Sequence, residues 1–299
     1  MKLNLKITAG IITSVMLMTS CKSGDDKADG YGNFEATETI VSAESNGKLL
    51  AFNVDEGTFL KEGTAVGYVD TVQLFLKKEQ ILATKNVVKA KSAGVLSQIN
   101  VLKAQLNTAH ISKKRIENML QENAATPKQL EAIAGEIQVV DQQIKSIEIQ
   151  NSAVMNELKS LDIQLQQIED KLLKSTITNP LNGTVLVKYA APFEMTAFGK
   201  PLYKIADLSS MQLRVYVSQT QLTSIKIGQK VTVKVDEAEG MKSYSGHITW
   251  VAAEAEFTPK IIQTKEERVN LVYAVKVEVN NDGGLKIGMP AEMWLITQE

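Results

Sequence analysis

Between Leu74 and Leu172 apolar residues recur at alternating spacings of three and four. The second half of this stretch is the cleaner. Leu130, Ile133, Ile137, Val140, Ile144, Ile147, Asn151, Val154, Leu158, Leu161, Leu165, Ile168 and Leu172 follow one another in that rhythm. Twelve of these thirteen positions are apolar, and the positions between them are mostly Gln, Glu, Asp, Lys and Ser. So narrow a seam is the a/d pattern of a coiled coil, whereas a globular helix shows a broader stripe. Counting back from Leu120, the same rule selects Ile116, Ala109, Leu106, Leu102, Ile99, Val95, Val88, Ile81 and Leu74. Lys113, Ser92, Lys85 and Lys78 interrupt it, so the first helix is the looser partner.

The two seams are joined by Glu122-Asn-Ala-Ala-Thr-Pro127. Thr126 suits an N-cap, and Pro127 suits the first helical position, where no N–H is needed. Gln129 stands three residues after Thr126, the spacing of a capping box. Two seams of nearly equal length across so short a connection predict an antiparallel hairpin with arms of roughly 65–75 Å. A rod of that length must project from whatever carries it.

Outside the rod the period changes from seven to two. Gly47-Lys-Leu-Leu-Ala-Phe through Gly63 to Asp70 precedes the hairpin, and Gly183-Thr-Val-Leu-Val through Gly199 to Asp207 follows it. Each pair of glycines is sixteen apart, and each second glycine leads an apolar run that ends in Asp. This is an internal repeat, split by the hairpin. Beyond it, strands are predicted at 212–217, 230–235, 244–251, 271–279 and 291–296, with a short helix at 219–225. Alternation with Gly and Asn/Asp breaks points to an antiparallel barrel or sandwich.

Residues 1–20 have the form of a secretory signal: Lys2 and Lys6, then an apolar run from Ile7 to Met18 that is short for a bilayer span. It ends in Met18-Thr-Ser-Cys21, and Cys21 is the one cysteine, which excludes an intrachain disulfide. Residues 22–33 carry almost nothing apolar and predict a flexible tether. The formal charge is −1, which offers no basic surface for nucleic acid, and aromatic residues make up only 5%.

Several known groups resemble these parts. The Met18–Cys21 stretch is similar to a lipobox, whose resemblance implies cleavage before Cys21 and diacylation of its thiol. The two glycine-rich pieces resemble the halves of a lipoyl/biotinyl-like domain, although no Met-Lys acceptor dipeptide stands at the junction. The order of anchor, half domain, hairpin, half domain and barrel resembles the haemolysin D family of periplasmic adaptors, or membrane fusion proteins. The fold expected is therefore α+β and elongated, with a coiled-coil hairpin inserted in a split lipoyl-like β-domain and an antiparallel β-barrel after it. The expected boundaries are a signal peptide at 1–20, a tether at 21–34, a first half domain at 35–71 and the hairpin at 72–175, its tip near 121–127. The second half domain follows at 176–208 and the barrel at 209–299.

The resemblance implies a hexamer that links an inner-membrane transporter to a TolC-type outer-membrane channel, held in the periplasm by its lipid. Ala255 to Val275 and Leu285-Lys-Ile-Gly-Met-Pro-Ala are similar to segments of adaptors that serve ABC exporters. The chain ends at Glu299, without the membrane-proximal domain usual in adaptors of RND pumps, so an ABC partner is expected and an RND pump is the alternative. The family grips its channel through Arg, Leu and Ser at the tip, and the matching positions are Arg115, Met119 and Thr126. Otherwise Arg115 is one solvated charge and Thr126 a cap. Asn151 either fixes the register of the arms or faces a loosened layer near Gly94. His110 and His247, the two histidines, lie apart, and no metal or cofactor is expected. No P-loop, Gly-x-Ser-x-Gly or His-Glu-x-x-His occurs, so no enzyme is expected. A structural envelope coiled coil and a biotin carrier are the readings from other classes.

Overall fold

The computed structural model describes residues 27–238, 240–257 and 271–296. The signal segment, Cys21 and the middle of the 255–275 stretch lie outside the described residues. The described residues divide into two compact units: those up to Thr37 together with those from Asp207 onward, and Glu38–Ala206.

The first unit opens with β1 (Gly30–Glu35). The second unit follows with β2 (Glu38–Ser42), β3 (Gly47–Phe52), β4 (Phe59–Leu60) and β5 (Ala65–Val69). Helix α1 (Val72–Gln121) runs out and α2 (Pro127–Leu173) runs back. Then come β6 (Thr176–Thr178), β7 (Gly183–Lys188), β8 (Met195–Thr196) and β9 (Pro201–Ala206).

These eight strands form two four-stranded sheets, β2-β9-β7-β4 and β6-β5-β3-β8. Each sheet takes two strands from before the hairpin and two from after it, so neither sequence half forms a sheet alone. The repeat becomes a set of reciprocal bonds. Asn46 Oδ1 accepts from the Phe198 N–H at 2.7 Å, and Asn182 Oδ1 accepts from the Glu62 N–H at 3.0 Å. The Gly63 N–H donates to the Asn179 carbonyl and the Gly199 N–H to the Ala43 carbonyl, both at 2.8 Å. The two aspartates that end the repeat each close a local turn, Asp70 on the Val72 N–H and Asp207 on the Ser209 N–H, both at 2.9 Å. Hydrogen bonding from the Ser209 side chain, and after it from the Ser209 N–H, holds the Asp207 carboxyl below its usual range.

At the centre of this unit, buried Asn179 ties the halves together. Its Nδ2 donates to the Lys61 carbonyl at 3.0 Å, and its Oδ1 accepts from the buried Tyr203 hydroxyl at 2.8 Å. Burial pushes the Tyr203 phenol up to about 12.

Every predicted seam position of the hairpin is buried or half-buried. The polar residues that interrupt the α1 seam are paired. Lys78 Nζ lies 2.8 Å from Glu169, Lys85 pairs with Asp162, and Ser92 Oγ donates to Asn151 Oδ1 at 3.3 Å. The first two pairs are one heptad apart on each arm, in opposite directions, as an antiparallel ladder requires. Asn151 thus meets a polar partner across the seam, two residues from Gly94. Gly94 and Gly135 both have open space where a side chain would go.

The first unit is completed by β10 (Ser210–Ser218), α3 (Gln219–Leu222), β11 (Lys230–Glu237), β12 (Gly240–Val251), β13 (Glu256–Phe257), β14 (Leu271–Asn280) and β15 (Pro290–Leu295). The order β10-β1-β15-β11-β12-β14, with β14 pairing back to β10, closes a six-stranded antiparallel barrel, and β13 pairs with the first two residues of β14. Helix α3 stops three residues short of the expected 219–225.

The tether expected over 21–34 needs correction from Gly30 onward, its residues 21–26 lying outside the described residues, and so does the start of the first half domain at residue 35. Strand β1 fills the space between β10 and β15, with Tyr31 opposite Tyr216 and Glu292. Gly30, Gly32 and Phe34 alternate with exposed residues, and Phe34 is fully inside the barrel core. The stretch is poor in apolar residues because space is short. A Cβ on Gly32 would lie 1.8 Å from the Arg214 carbonyl oxygen.

Candidate functional site at the hairpin tip

The tip is built from two helix ends, each closed by its own residues. Helix α1 ends in a Schellman motif: the Ala124 N–H donates to the Met119 carbonyl at 2.8 Å and the Asn123 N–H to the Leu120 carbonyl at 3.1 Å. Asn123 occupies the left-handed region that this motif demands, with φ of 59°. Helix α2 begins with the expected capping box. Thr126 N–H donates to Gln129 Oε1 at 2.8 Å, and Gln129 N–H donates back to Thr126 Oγ1 at 3.4 Å. Pro127 takes the first helical position. The connection is therefore a fixed turn that needs no partner to order it.

Arg115 is exposed and makes no ion pair among the described residues, while its neighbour Lys113 lies 3.7 Å from Glu117. Met119 is 39% exposed and presents a flexible thioether. Thr126 is exposed, but its hydroxyl is already engaged: it donates to Gln129 Oε1 at 3.1 Å as well as accepting from the Gln129 N–H. Arg115 and Met119 lie on the last two turns of α1, and Thr126 caps α2. The chemistry available is recognition: a guanidinium fork for carboxylates or carbonyls and an apolar knob beside it.

His110 lies on α1, exposed, and His247 Nε2 stands 3.8 Å from Glu278 in the barrel. Among the described residues no three His, Cys, Asp or Glu side chains gather to hold a metal, and no helix is long and apolar enough to cross a membrane. Sequence reasoning did not foresee the pairs Lys78–Glu169 and Lys85–Asp162. The signal that would have found them is the same seven-residue offset running up one arm and down the other.

No protein-family model matches the chain. A UPF0194 membrane protein from the asrC 5′ region of Acidithiobacillus ferridurans is 25% identical over 285 residues, covering 87% of this chain and 84% of that protein. The UPF0194 membrane protein YbhG of Salmonella gallinarum is 32% identical over 120 residues, 40% of this chain and 36% of YbhG. Among solved structures, MacA from Actinobacillus actinomycetemcomitans superposes with a TM-score of 0.57 at 21% identity, over 88% of this chain and 76% of MacA. The membrane fusion protein Spr0693 from Streptococcus pneumoniae R6 gives a TM-score of 0.54 at 17% identity, over 90% of this chain and 98% of Spr0693. This chain therefore has the fold of MacA and of the membrane fusion protein Spr0693.

Proposed function

We propose that this chain is the periplasmic adaptor of a tripartite efflux or secretion system. In this reading it joins an inner-membrane ABC exporter to a TolC-type outer-membrane channel. One observation carries the proposal above the rest: both arms of the hairpin leave and re-enter the same interleaved pair of sheets. Such a base holds a long two-helix seam away from itself, which suits a reaching arm. We assign the two-sheet unit as lipoyl-like, the hairpin as the arm toward the channel and the barrel as the part nearest the transporter. Copies of the chain assemble into a ring, as a hexamer, and diacylated Cys21 ties each copy to the envelope, at the inner membrane. ATP is hydrolysed by the partner, and this chain performs no bond chemistry.

Channel binding is assigned to Arg115, Met119 and Thr126. Arg115→Glu reverses the exposed charge without touching the seam, so it should abolish export while the folded protein still accumulates at the membrane. Export at the wild-type level in that variant would remove the tip assignment. An RND pump is the second reading for the transporter. Co-purification of the inner-membrane partner separates the two, since the ABC proposal fails if a proton-driven pump is recovered.

A further inference from the structure

The capping box leaves one group at the tip unspent. Gln129 Oε1 is used twice, by the Thr126 N–H at 2.8 Å and by the Thr126 hydroxyl at 3.1 Å. Those two bonds fix the orientation of the amide, because only its oxygen can accept from a backbone N–H. The Nε2 atom, with two N–H donors, then has no acceptor among the described residues, on a side chain that is exposed. The Thr126 hydroxyl is in the opposite condition, since its one proton is already committed.

Gln at this position is itself informative. A Glu would close the same box and would also favour the positive end of the helix. Yet the first turn of α2 holds no acidic residue. Gln gives up that electrostatic gain and keeps a pair of donors in a fixed direction. A donor held in place before contact loses little freedom on binding, which is what makes it effective at an interface.

We propose that Gln129 supplies the hydrogen-bond donors through which the hairpin tip grips its channel, an inference that rests on the tip docking proposed above. Its partner is a surface of acceptors, carboxylate or backbone carbonyl, at the channel's periplasmic end. Arg115 reaches the same kind of surface with a charged fork, and Gln129 adds a neutral, oriented contact from the other arm.

The test passes the full chain over the host's TolC-type channel, purified in detergent, and compares three variants with the wild type. Gln129→Glu retains the cap but loses the donors, and should bind about tenfold or more weakly, with thermal unfolding no lower than in the wild type. Gln138→Glu makes the same chemical change further down α2, on another exposed glutamine, and should bind as the wild type does. Wild-type affinity in Gln129→Glu, or an equal loss in Gln138→Glu, overturns the inference. Arg115→Glu separates it from the reading beneath it. If Arg115→Glu weakens binding and Gln129→Glu does not, only the role of Gln129 falls. If Arg115→Glu binds like the wild type, the docking reading falls and this inference with it.

Discussion

In the barrel, Met211, Leu213, Val215, Val231, Val233, Ile248, Val275, Val277 and Met293 expose none of their surface. In the hairpin the best-buried seam residues, Ile81, Val88, Ile99, Ile144 and Val154, each keep 5%. The two regions use similar residues and differ in geometry. A closed barrel surrounds each inward side chain with strands on both edges and with the facing wall. A two-helix seam covers each side chain from one partner only, and water reaches it from both flanks. Burial in the barrel is therefore collective, whereas in the hairpin it is spread thinly along a line and is local.

The largest expected effect tests that difference directly. Phe34→Ala should cost about 3–5 kcal/mol, comparable with the whole stability of a modest domain. Ile144→Ala should fall toward the low end of the range for such truncations, about 2 kcal/mol, because the site is already open at its sides. Chemical denaturation of both variants checks this, and equal losses would break the comparison. Next comes the polar core of the two-sheet unit, which belongs to neither type of burial. Asn179→Ala leaves the Tyr203 hydroxyl and the Lys61 carbonyl without their partner, at roughly 1–3 kcal/mol for each group that finds no water.

The same pair gives a pH dependence. The Tyr203 phenol ionises at about 12 in the folded chain, against about 10 for an unperturbed tyrosine. Its contribution is complete below pH 10 and is lost as pH rises from there to about 12, because the unfolded chain releases the proton first. Alkaline unfolding followed by ultraviolet difference absorbance should show this slope, and Tyr203→Phe should flatten it. The smallest effect is a gain. Gly94 lies in a helix with open space around it, so Gly94→Ala should stabilise the arm by up to about 1 kcal/mol. Amide exchange along α1 would locate that gain, and a loss would mean that the glycine serves a bend.

Much of the hairpin was legible from residue types alone. The seam from Leu130 to Leu172 needs only the period of a helix and the hydrophobic effect, and Thr126-Pro127 with Gln129 needs only local hydrogen bonding. These are interactions between residues close in sequence or repeated in strict register. The barrel strands were legible for the same reason, their period of two. What could not be read was the choice of distant partners. Nothing in Gly30-Tyr-Gly-Asn-Phe-Glu announces a strand, because its glycines are explained only by the backbone of Arg214 lying against them. The reciprocal bonds of Asn46 and Asn182 likewise needed both halves in place, and so did the cross-arm pairing of Lys78 and Lys85.

The candidate site divides along the same line. Arg115, Met119 and Thr126 could be named from spacing, but the state of each hydrogen-bonding group could not. That the Thr126 hydroxyl is committed and the Gln129 amide is half free depends on distances that only a folded turn sets. By itself, then, the sequence determined the helices, their seam, the capped turn and the alternating strands, because short-range geometry and periodicity suffice for those. Only the tertiary structure decided that the first strand closes the barrel, that the split repeat interleaves and which donors remain at the tip. Each of these turns on which remote atoms come into contact, and the linear order of residues does not state that.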